Sequence, residues 1–259
     1  MDAFGVGMEK RARIAPTFFH RWLFNYEKRQ LYAYEASVFQ FIDRFCIISE
    51  QDKNHIKSNR SNEISIIPNG VDFDMFYPRE EPKKYDLVFM GNLGYPPNVE
   101  AMFFLIYKIM PLVWKKNKNI TLLLAGIDAP RKIKELAKGN IVLIENFSNI
   151  SHSIAQSKVM VAPMQISIGL QNKIIQSMAM KVPCVVSRSS NKAIQAPNGE
   201  ALIEAEEPFE YANAIVSLLE DKMVYEHIAN EGYEFVHRYY SWQKQNDLMI
   251  QLFTSPIEK

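Results

Sequence analysis

Short apolar segments alternate with amphipathic ones through the last two thirds of the chain. Each apolar segment has the length of a strand and is apolar at successive positions, which is typical of strands covered on both faces of a parallel sheet. The predicted strands are residues 86–90, 120–125, 141–144, 158–162, 183–187 and 201–203. The predicted helices lie near 98–116, 130–138, 150–157, 170–180 and 208–220. This alternation predicts an α/β fold with a doubly wound parallel sheet, in which ligands bind at the carboxyl ends of the strands.

The first part of the chain has a different pattern. Residues 18–45 contain no Gly or Pro and carry apolar residues at helical spacing, which predicts one long helix. Short apolar runs at 45–49 and 64–67 predict two strands. Residues 71–84 are rich in proline and charge, so we expect an exposed linker and a domain boundary there. The tail at 241–253 predicts one more amphipathic helix.

Composition restricts the classes of partner. The chain has 259 residues, of which 47% are hydrophobic, enough for a sizeable core in a soluble protein. Its 30 basic and 29 acidic residues leave a net charge of +1, so net charge alone cannot hold nucleic acid or an anionic membrane. Any anion site must therefore be local, and we expect no nucleic-acid partner.

The cysteines and the absence of long apolar runs bear on location. Cys46 and Cys184 both stand in apolar runs, which predicts two small buried side chains and favours a reducing cytoplasm. No signal peptide or transmembrane segment is evident. The expected location is the cytoplasm, with peripheral contact at the inner face of the membrane left open. The five histidines lack metal-ligand spacing, so we expect no metal.

The loop after the first strand of the sheet is one candidate anion site. Gly91 and Gly94 would let the backbone approach a ligand, and a helix beginning near Asn98 would offer N–H groups to a phosphate. Asn92 lies between the two glycines. The alternative is an ordinary βα turn with proline near the start of the helix.

The second candidate is the segment that ends in Gly169-Leu170-Gln171-Asn172-Lys173. Lys173 falls in the first turn of a predicted helix, where a cation opposes the helix dipole. An anionic ligand would remove that conflict, with backbone N–H groups near Gly169 and Leu170 as further donors. The alternative is a solvated surface lysine. Walker, nucleophile-elbow and G-x-G-x-x-G motifs are missing, which argues against NTP hydrolysis and hydride transfer.

Five blocks stand in order along the chain: Ile-Pro-Asn-Gly-Val-Asp at 67–72, Phe-Met-Gly-Asn-Leu-Gly-Tyr-Pro-Pro-Asn at 89–98, Leu-Ala-Gly at 124–126, Gly-Leu-Gln-Asn-Lys at 169–173, and Met-Ala-Met-Lys-Val-Pro-Cys-Val-Val at 178–186. Together they resemble the family 4 (group 1) glycosyltransferases, whose GT-B fold has two Rossmann-like domains facing across a cleft. The Gln-Asn-Lys form is similar to a bacterial subgroup associated with exopolysaccharide and surface-polysaccharide assembly. The resemblance implies a Rossmann-like doubly wound sheet, the C-terminal half of a GT-B fold, with a partial N-terminal domain.

The resemblance also implies a reaction. A sugar would pass from a nucleoside diphosphate donor, UDP or GDP, to a polysaccharide or lipid-linked acceptor with retention, without a metal or another cofactor. Lys173 would neutralise the leaving diphosphate as the catalytic residue, Gln176 would face the ribose, and the base would rest near Phe147. The implied donor-binding residues are Gly91, Asn92, Gly94, Phe147, Gly169, Leu170, Gln171, Asn172 and Gln176.

Two positions depart from the family pattern. Relatives carry a pair of glutamates where this chain has Ile168 and Gln176. Gln176 can accept a hydrogen bond from a ribose hydroxyl, but without the strength that a carboxylate adds. Weaker donor binding is the expected result.

The resemblance predicts four parts: residues 1–60 as a remnant of the acceptor-side domain, 61–84 as the crossing and linker, 85–238 as the nucleotide-sugar-binding domain, and 239–259 as a helix that crosses back. Most of the acceptor domain would then be missing, as in an N-terminally truncated protein. A second hypothesis is therefore a catalytically impaired nucleotide-sugar-binding subunit that needs a separate acceptor-domain chain. A nucleotide-sugar 2-epimerase shares the fold, but the acid and base residues it needs are not evident.

Overall fold

The structure is a computed structural model and describes residues 4–13, 15, 17–56, 58, 60–145, 150–166 and 169–256. The chain divides into two compact units. Unit 1 consists of Met1–Gly70, Ile168–Leu170 and Trp242–Lys259, and unit 2 consists of Val71–Ser167 and Gln171–Ser241. Within the described ranges, no helix has both the length and the apolar character needed to cross a membrane.

Unit 1 is mainly helical and contains one small parallel strand pair. Its elements are α1 (Phe4–Arg13), α2 (Phe18–Val38), β1 (Phe45–Ile47), α3 (Glu50–Lys53), a 3₁₀ turn (Ser61–Glu63), β2 (Ile64–Ile66) and α12 (Trp242–Thr254). β1 pairs with β2 in parallel, with Phe45 opposite Ile64. The helix predicted over 18–45 is too long, because Phe39 lies just past the end of α2 and packs on Phe45 with 4.2 Å between ring centroids.

Unit 2 is built on a six-stranded, fully parallel sheet. Its strands are β3 (Tyr85–Asn92), β4 (Leu122–Ile127), β5 (Ile141–Ile144), β6 (Ser157–Ala162), β7 (Cys184–Ser187) and β8 (Ile203–Ala205). They are ordered β5-β4-β3-β6-β7-β8. After β3 the chain adds β4 and β5 on one side of it, and then adds β6, β7 and β8 on the other side. The switch point therefore lies between β3 and β6. The predicted doubly wound sheet is confirmed.

Nine helical segments of unit 2 fall between and after these strands in the described residues. They are α4 (Pro96–Phe104), a π-helical turn (Leu105–Ile109), α5 (Met110–Lys116), α6 (Arg131–Leu136), α7 (Ile150–Ala155), α8 (Asn172–Ala179), α9 (Arg188–Ile194), α10 (Pro208–Glu220) and α11 (Lys222–Tyr239). The helices predicted from the sequence do not include α9. The Ser187 hydroxyl caps α9 by accepting from the Ser190 N–H, and Gln195 ends the helix in the left-handed region.

Burial follows the predicted pattern in the sheet but not at both cysteines. Leu87, Val88 and Phe89 in β3 are fully buried, as expected for a strand covered on both faces. Cys184 in β7 is buried, and burial raises the pKa of its thiol. Cys46 in β1 is exposed, so its prediction as a buried side chain is wrong: strand side chains alternate in direction, and its two neighbours face the core instead.

The segment 71–84, expected to be an exposed linker at a domain boundary, begins where unit 2 begins, and most of its residues are exposed. Val71 donates its N–H to the Tyr240 carbonyl at 2.7 Å and is 3% exposed. Phe76 is 5% exposed. The segment therefore contributes to the packing of unit 2 before β3 begins.

Candidate functional site

The carboxyl edge of the unit 2 sheet at its switch point contains a buried lysine. The Nζ atom of Lys173, on α8, lies 4.4 Å from the centroid of the Phe89 ring on β3. The same atom lies 3.5 Å from Sδ of Met164, which follows β6. Lys173 therefore contacts β3 and the segment that follows β6, the two strands that flank the switch point, where ligands bind in doubly wound sheets.

Lys173 is 9% exposed, so its interpretation as a solvated surface lysine is wrong. Its Nζ donates a hydrogen bond to Asn98 Oδ1 at 2.8 Å. Among the described residues Lys173 forms no ion pair with a carboxylate. Desolvation by burial lowers the pKa of Lys173 from 10.5 to about 7.

The position of Lys173 on α8 explains this burial. Ile174, Ile175 and Met178 are buried on the same short helix, so α8 brings its first turn into the core. The positive end of the helix dipole lies at that first turn and opposes a cation there. Burial, the lack of a carboxylate partner among the described residues and the dipole all disfavour the charged ammonium. A bound anion would supply the missing countercharge.

Asn98, in the first turn of α4, is the partner that the sequence reasoning missed. In the sequence Asn98 marks only the start of a helix. A buried asparagine at that position requires hydrogen-bond partners. Asn98 is 7% exposed, and its Nδ2 donates to the carbonyl oxygen of Asn92 at 2.7 Å. The amide therefore joins Lys173 to the carboxyl end of β3.

Gly91 makes room for this amide. Its φ is +141°, which L-residues with a side chain rarely adopt. A Cβ at Gly91 would lie 3.1 Å from Asn98 Nδ2 and 3.9 Å from Lys173 Nζ. The glycine keeps the space beside both polar groups open.

The backbone N–H groups of the loop after β3 already donate hydrogen bonds within the protein. Asn92 Oδ1 accepts from the N–H of Gly94 at 2.9 Å and of Tyr95 at 3.0 Å, while the Leu93 N–H donates to the Ile127 carbonyl at 2.8 Å. The first two residues of α4 are prolines and have no N–H to offer. The expectation that this helix start presents unpaired N–H groups to a phosphate is therefore wrong for residues 93–97.

Gly126 is buried in the contact between β3 and β4. It lies opposite Gly91 in the strand register. A Cβ at Gly126 would lie 1.8 Å from the Gly91 carbonyl oxygen, which is backbone and has no rotamer to change. The sequence showed Gly126 only as part of a motif, and the structure gives the reason for a glycine there.

The remaining predicted site residues are distributed as follows. Gln176 is half-buried and lies one turn after Lys173, on the same side of α8. Gln171 and Asn172 lie at the start of α8. Gly169, with φ of +66°, and Leu170, which is buried, are grouped with unit 1. Phe147 and Ile168 lie outside the described residues.

Side chains that commonly ligate metal ions do not cluster in the part of the chain that the structure describes. No group of three or more His, Cys, Asp or Glu side chains there could hold an ion. The candidate site thus consists of the Lys173 ammonium, neutral amide groups and the space beside Gly91. These groups match an anion with attached hydroxyls.

A parallel sheet of this order, with its switch point between β3 and β6, defines a Rossmann-like doubly wound unit. The model of the family "Glycosyl transferases group 1" matches residues 84–221, more than half of the chain. The chain belongs to this family, and its fold corresponds to the C-terminal half of a GT-B glycosyltransferase.

Relatives agree with this assignment. The chain is 24% identical over 247 residues to an uncharacterized 44.6 kDa protein in the cps region of Klebsiella pneumoniae, covering 87% of this chain and 63% of that protein. HepE of Anabaena, solved with UDP and glucose, superposes with a TM-score of 0.74 at 14% identity over 88% of this chain and 67% of that one. A mutant of S. aureus TarM, solved with fondaparinux, alpha-GlcNAc-glycerol and UDP, gives a TM-score of 0.72 at 15% identity over 87% and 47%. At these identities the structural likeness shows the fold.

Proposed function

We propose that unit 2 binds the nucleoside diphosphate sugar of a retaining glycosyltransferase whose acceptor is a polysaccharide or a lipid-linked glycan. The observation that carries the proposal is Lys173: a buried ammonium at the switch point that has no carboxylate partner among the described residues. A diphosphate is the anion that the family's substrates would bring to this position. The UDP bound to HepE supports UDP as the first donor to test, with GDP as the alternative.

Lys173 would act on the leaving group. As the bond between the sugar's anomeric carbon and the diphosphate oxygen breaks, negative charge grows on the diphosphate, and a fixed ammonium in a low-dielectric site stabilises it. The acceptor oxygen forms its bond to the same face of the sugar, and its proton passes to the leaving phosphate oxygen. This route requires no protein general base and no metal.

Other predicted residues would contact the rest of the donor. Gly91 keeps the space beside Asn98 and Lys173 free for the diphosphate, and Gln176 would accept a hydrogen bond from a ribose hydroxyl through its amide oxygen. We retain Gly94 for the phosphate path from the family resemblance. We retain Phe147 for the base, and Gly169 and Leu170 for the sugar and phosphate, from the family resemblance. Together these residues define a substrate site rather than a cofactor site.

A second candidate is a nucleotide-sugar-binding subunit that transfers sugar only with a separate acceptor-domain chain. It is favoured by Gln176, which replaces a glutamate of the family pattern. The chain spans 63% of the length of its Klebsiella relative. Both candidates share the donor site and differ in turnover.

Calorimetric titration of the whole chain with UDP-, GDP- and ADP-sugars tests the donor site. We expect one nucleotide to bind and the free nucleoside diphosphate to compete with its sugar form. Release of nucleoside diphosphate with an added glycan acceptor supports the transferase, and binding without turnover supports the subunit. If none of the three nucleotides binds at millimolar concentration, the donor site is wrongly assigned.

The Gln176→Glu substitution tests the ribose contact. A carboxylate accepts a stronger hydrogen bond than an amide, so we expect donor affinity to rise about three- to ten-fold. Gln195→Glu, which adds the same charge at an exposed position after α9, is the control and should leave the affinity unchanged. Calorimetry with both variants decides the matter, because equal affinities would remove Gln176 from the site.

A further inference from the structure

Among the residues that the structure describes, Asn98 is the only one whose side chain offers Lys173 Nζ an oxygen acceptor. We propose that Asn98 is a positioning residue that holds the Lys173 ammonium at the sheet edge for the donor diphosphate, a role that rests on the donor-binding function proposed above. The other two neighbours of Nζ are the Phe89 ring at 4.4 Å and the Met164 thioether at 3.5 Å. A thioether is a weak acceptor and a ring face gives little directionality, so the amide sets the direction of Nζ.

Both ends of the Asn98 amide are engaged, which fixes its orientation. Oδ1 accepts from Lys173 Nζ at 2.8 Å, and Nδ2 donates to the Asn92 carbonyl at 2.7 Å. Turning the amide over would bring Nδ2 against the ammonium and Oδ1 against a carbonyl oxygen, and both contacts would be repulsive. The oxygen therefore faces the lysine.

The backbone that carries Asn98 is also held in place. Asn98 follows Pro96 and Pro97, whose rings restrict the backbone at the start of α4, and its own N–H donates to the Tyr95 carbonyl at 2.8 Å. Gly91 leaves room for the amide, since a Cβ there would come within 3.1 Å of Nδ2. The contact with Lys173 thus joins two helices whose residues lie 75 positions apart in the chain.

A neutral acceptor suits this task better than a charged or an apolar side chain. An aspartate would pair with the ammonium permanently and repel a diphosphate, because both are anions competing for one cation. A leucine would leave Nζ without an oxygen acceptor in a desolvated site. Asparagine satisfies one proton of the ammonium and leaves its charge uncompensated for the ligand.

The test uses Asn98→Asp, which preserves the shape of the side chain, and Asn98→Ala. We expect each to weaken binding of the nucleoside diphosphate by about ten-fold or more at pH 7, measured by calorimetry on the full chain. NMR of ¹⁵N-labelled lysine should show the Lys173 ammonium titrating at higher pH in Asn98→Asp than in wild type. A residue that only supports the fold would not move that titration upward.

Asn191→Ala is the matched control. Asn191 is also a buried asparagine of unit 2 that joins a helix to neighbouring backbone, through hydrogen bonds to Ala196, but it has no described contact with Lys173. Its loss should lower stability while changing nucleotide affinity and the Lys173 titration little. Equal weakening by Asn191→Ala, or wild-type affinity in both Asn98 variants, overturns the proposal. If wild type binds no nucleotide, the proposed function fails, and inorganic diphosphate with the lysine titration still tests the Asn98 contact.

Discussion

Replacing Lys173 with methionine is expected to stabilise the protein and to abolish donor binding. Methionine preserves the length of the apolar stem and removes a buried ammonium that has no carboxylate partner among the described residues. Removing a buried ammonium whose pKa is lowered to about 7 outweighs the cost of leaving Asn98 Oδ1 without its donor, so we expect a net stabilisation of about 1–3 kcal/mol where the ammonium is charged. Donor affinity should fall at least about 100-fold, since a phosphate then loses its cation in a low-dielectric site.

The size of the stability gain should depend on pH. The pKa of Lys173 is about 7 in the folded protein and 10.5 as the reference for the unfolded chain. Between these values the unfolded chain binds more protons, so the free energy of unfolding of wild type rises with pH across that window. The advantage of Lys173→Met should therefore be largest below pH 7 and shrink towards pH 10.

Chemical unfolding at several pH values, paired with calorimetry, measures both effects. Lys132→Met is the control, because Lys132 is exposed on α6 and should change stability by at most about 0.5 kcal/mol at any pH. A variant that is less stable than wild type at pH 6 would contradict the burial argument. A variant that still binds nucleotide normally would contradict the phosphate role.

Gly126→Ala is expected to destabilise unit 2 severely. The new methyl group would lie 1.8 Å from the Gly91 carbonyl oxygen, so β3 and β4 must separate at their carboxyl ends. Forcing backbone apart in a packed core costs roughly 3 kcal/mol or more. Because Gly91 lies beside Asn98, donor affinity should fall as well.

Gly139→Ala separates this crowding from the general effect of adding a side chain. Gly139 has a φ of +60°, and a Cβ there would meet no atom within 4 Å. Its substitution should cost only about 1 kcal/mol, from backbone strain alone. Urea unfolding of the two variants should give clearly different midpoints, and similar midpoints would mean that the two strands are not held as closely as described.

The sheet was predictable because its signal is local. Strands such as β3 and β6 are apolar at every central position, and that pattern arises only when both faces are covered. α9 was missed because its polar sequence, Arg188–Ile194, has little helical periodicity and depends on the cap from Ser187. The end of α2 was missed because it depends on Phe39 packing against a strand farther along the chain.

The site was predictable in its location and only partly in its contacts. Lys173 could be singled out because a cation at a helix start is unfavourable unless something compensates for it. Its burial and its partner Asn98 could not be read from spacing, because they depend on how two distant segments meet. The hydrogen bonds from Gly94 and Tyr95 to Asn92 reversed the expectation for the first loop, since a side chain took the donors assigned to a ligand.

The unequal exposure of the two cysteines gives the chain a natural attachment point for chemical probes. Cys46 is accessible on β1 of unit 1, whereas Cys184 is enclosed in β7 and its raised pKa suppresses the reactive thiolate. A maleimide dye added to the native protein should therefore react at a single position without any engineered cysteine. Such a label leaves Lys173 and Asn98 themselves unsubstituted while nucleotide binding is followed.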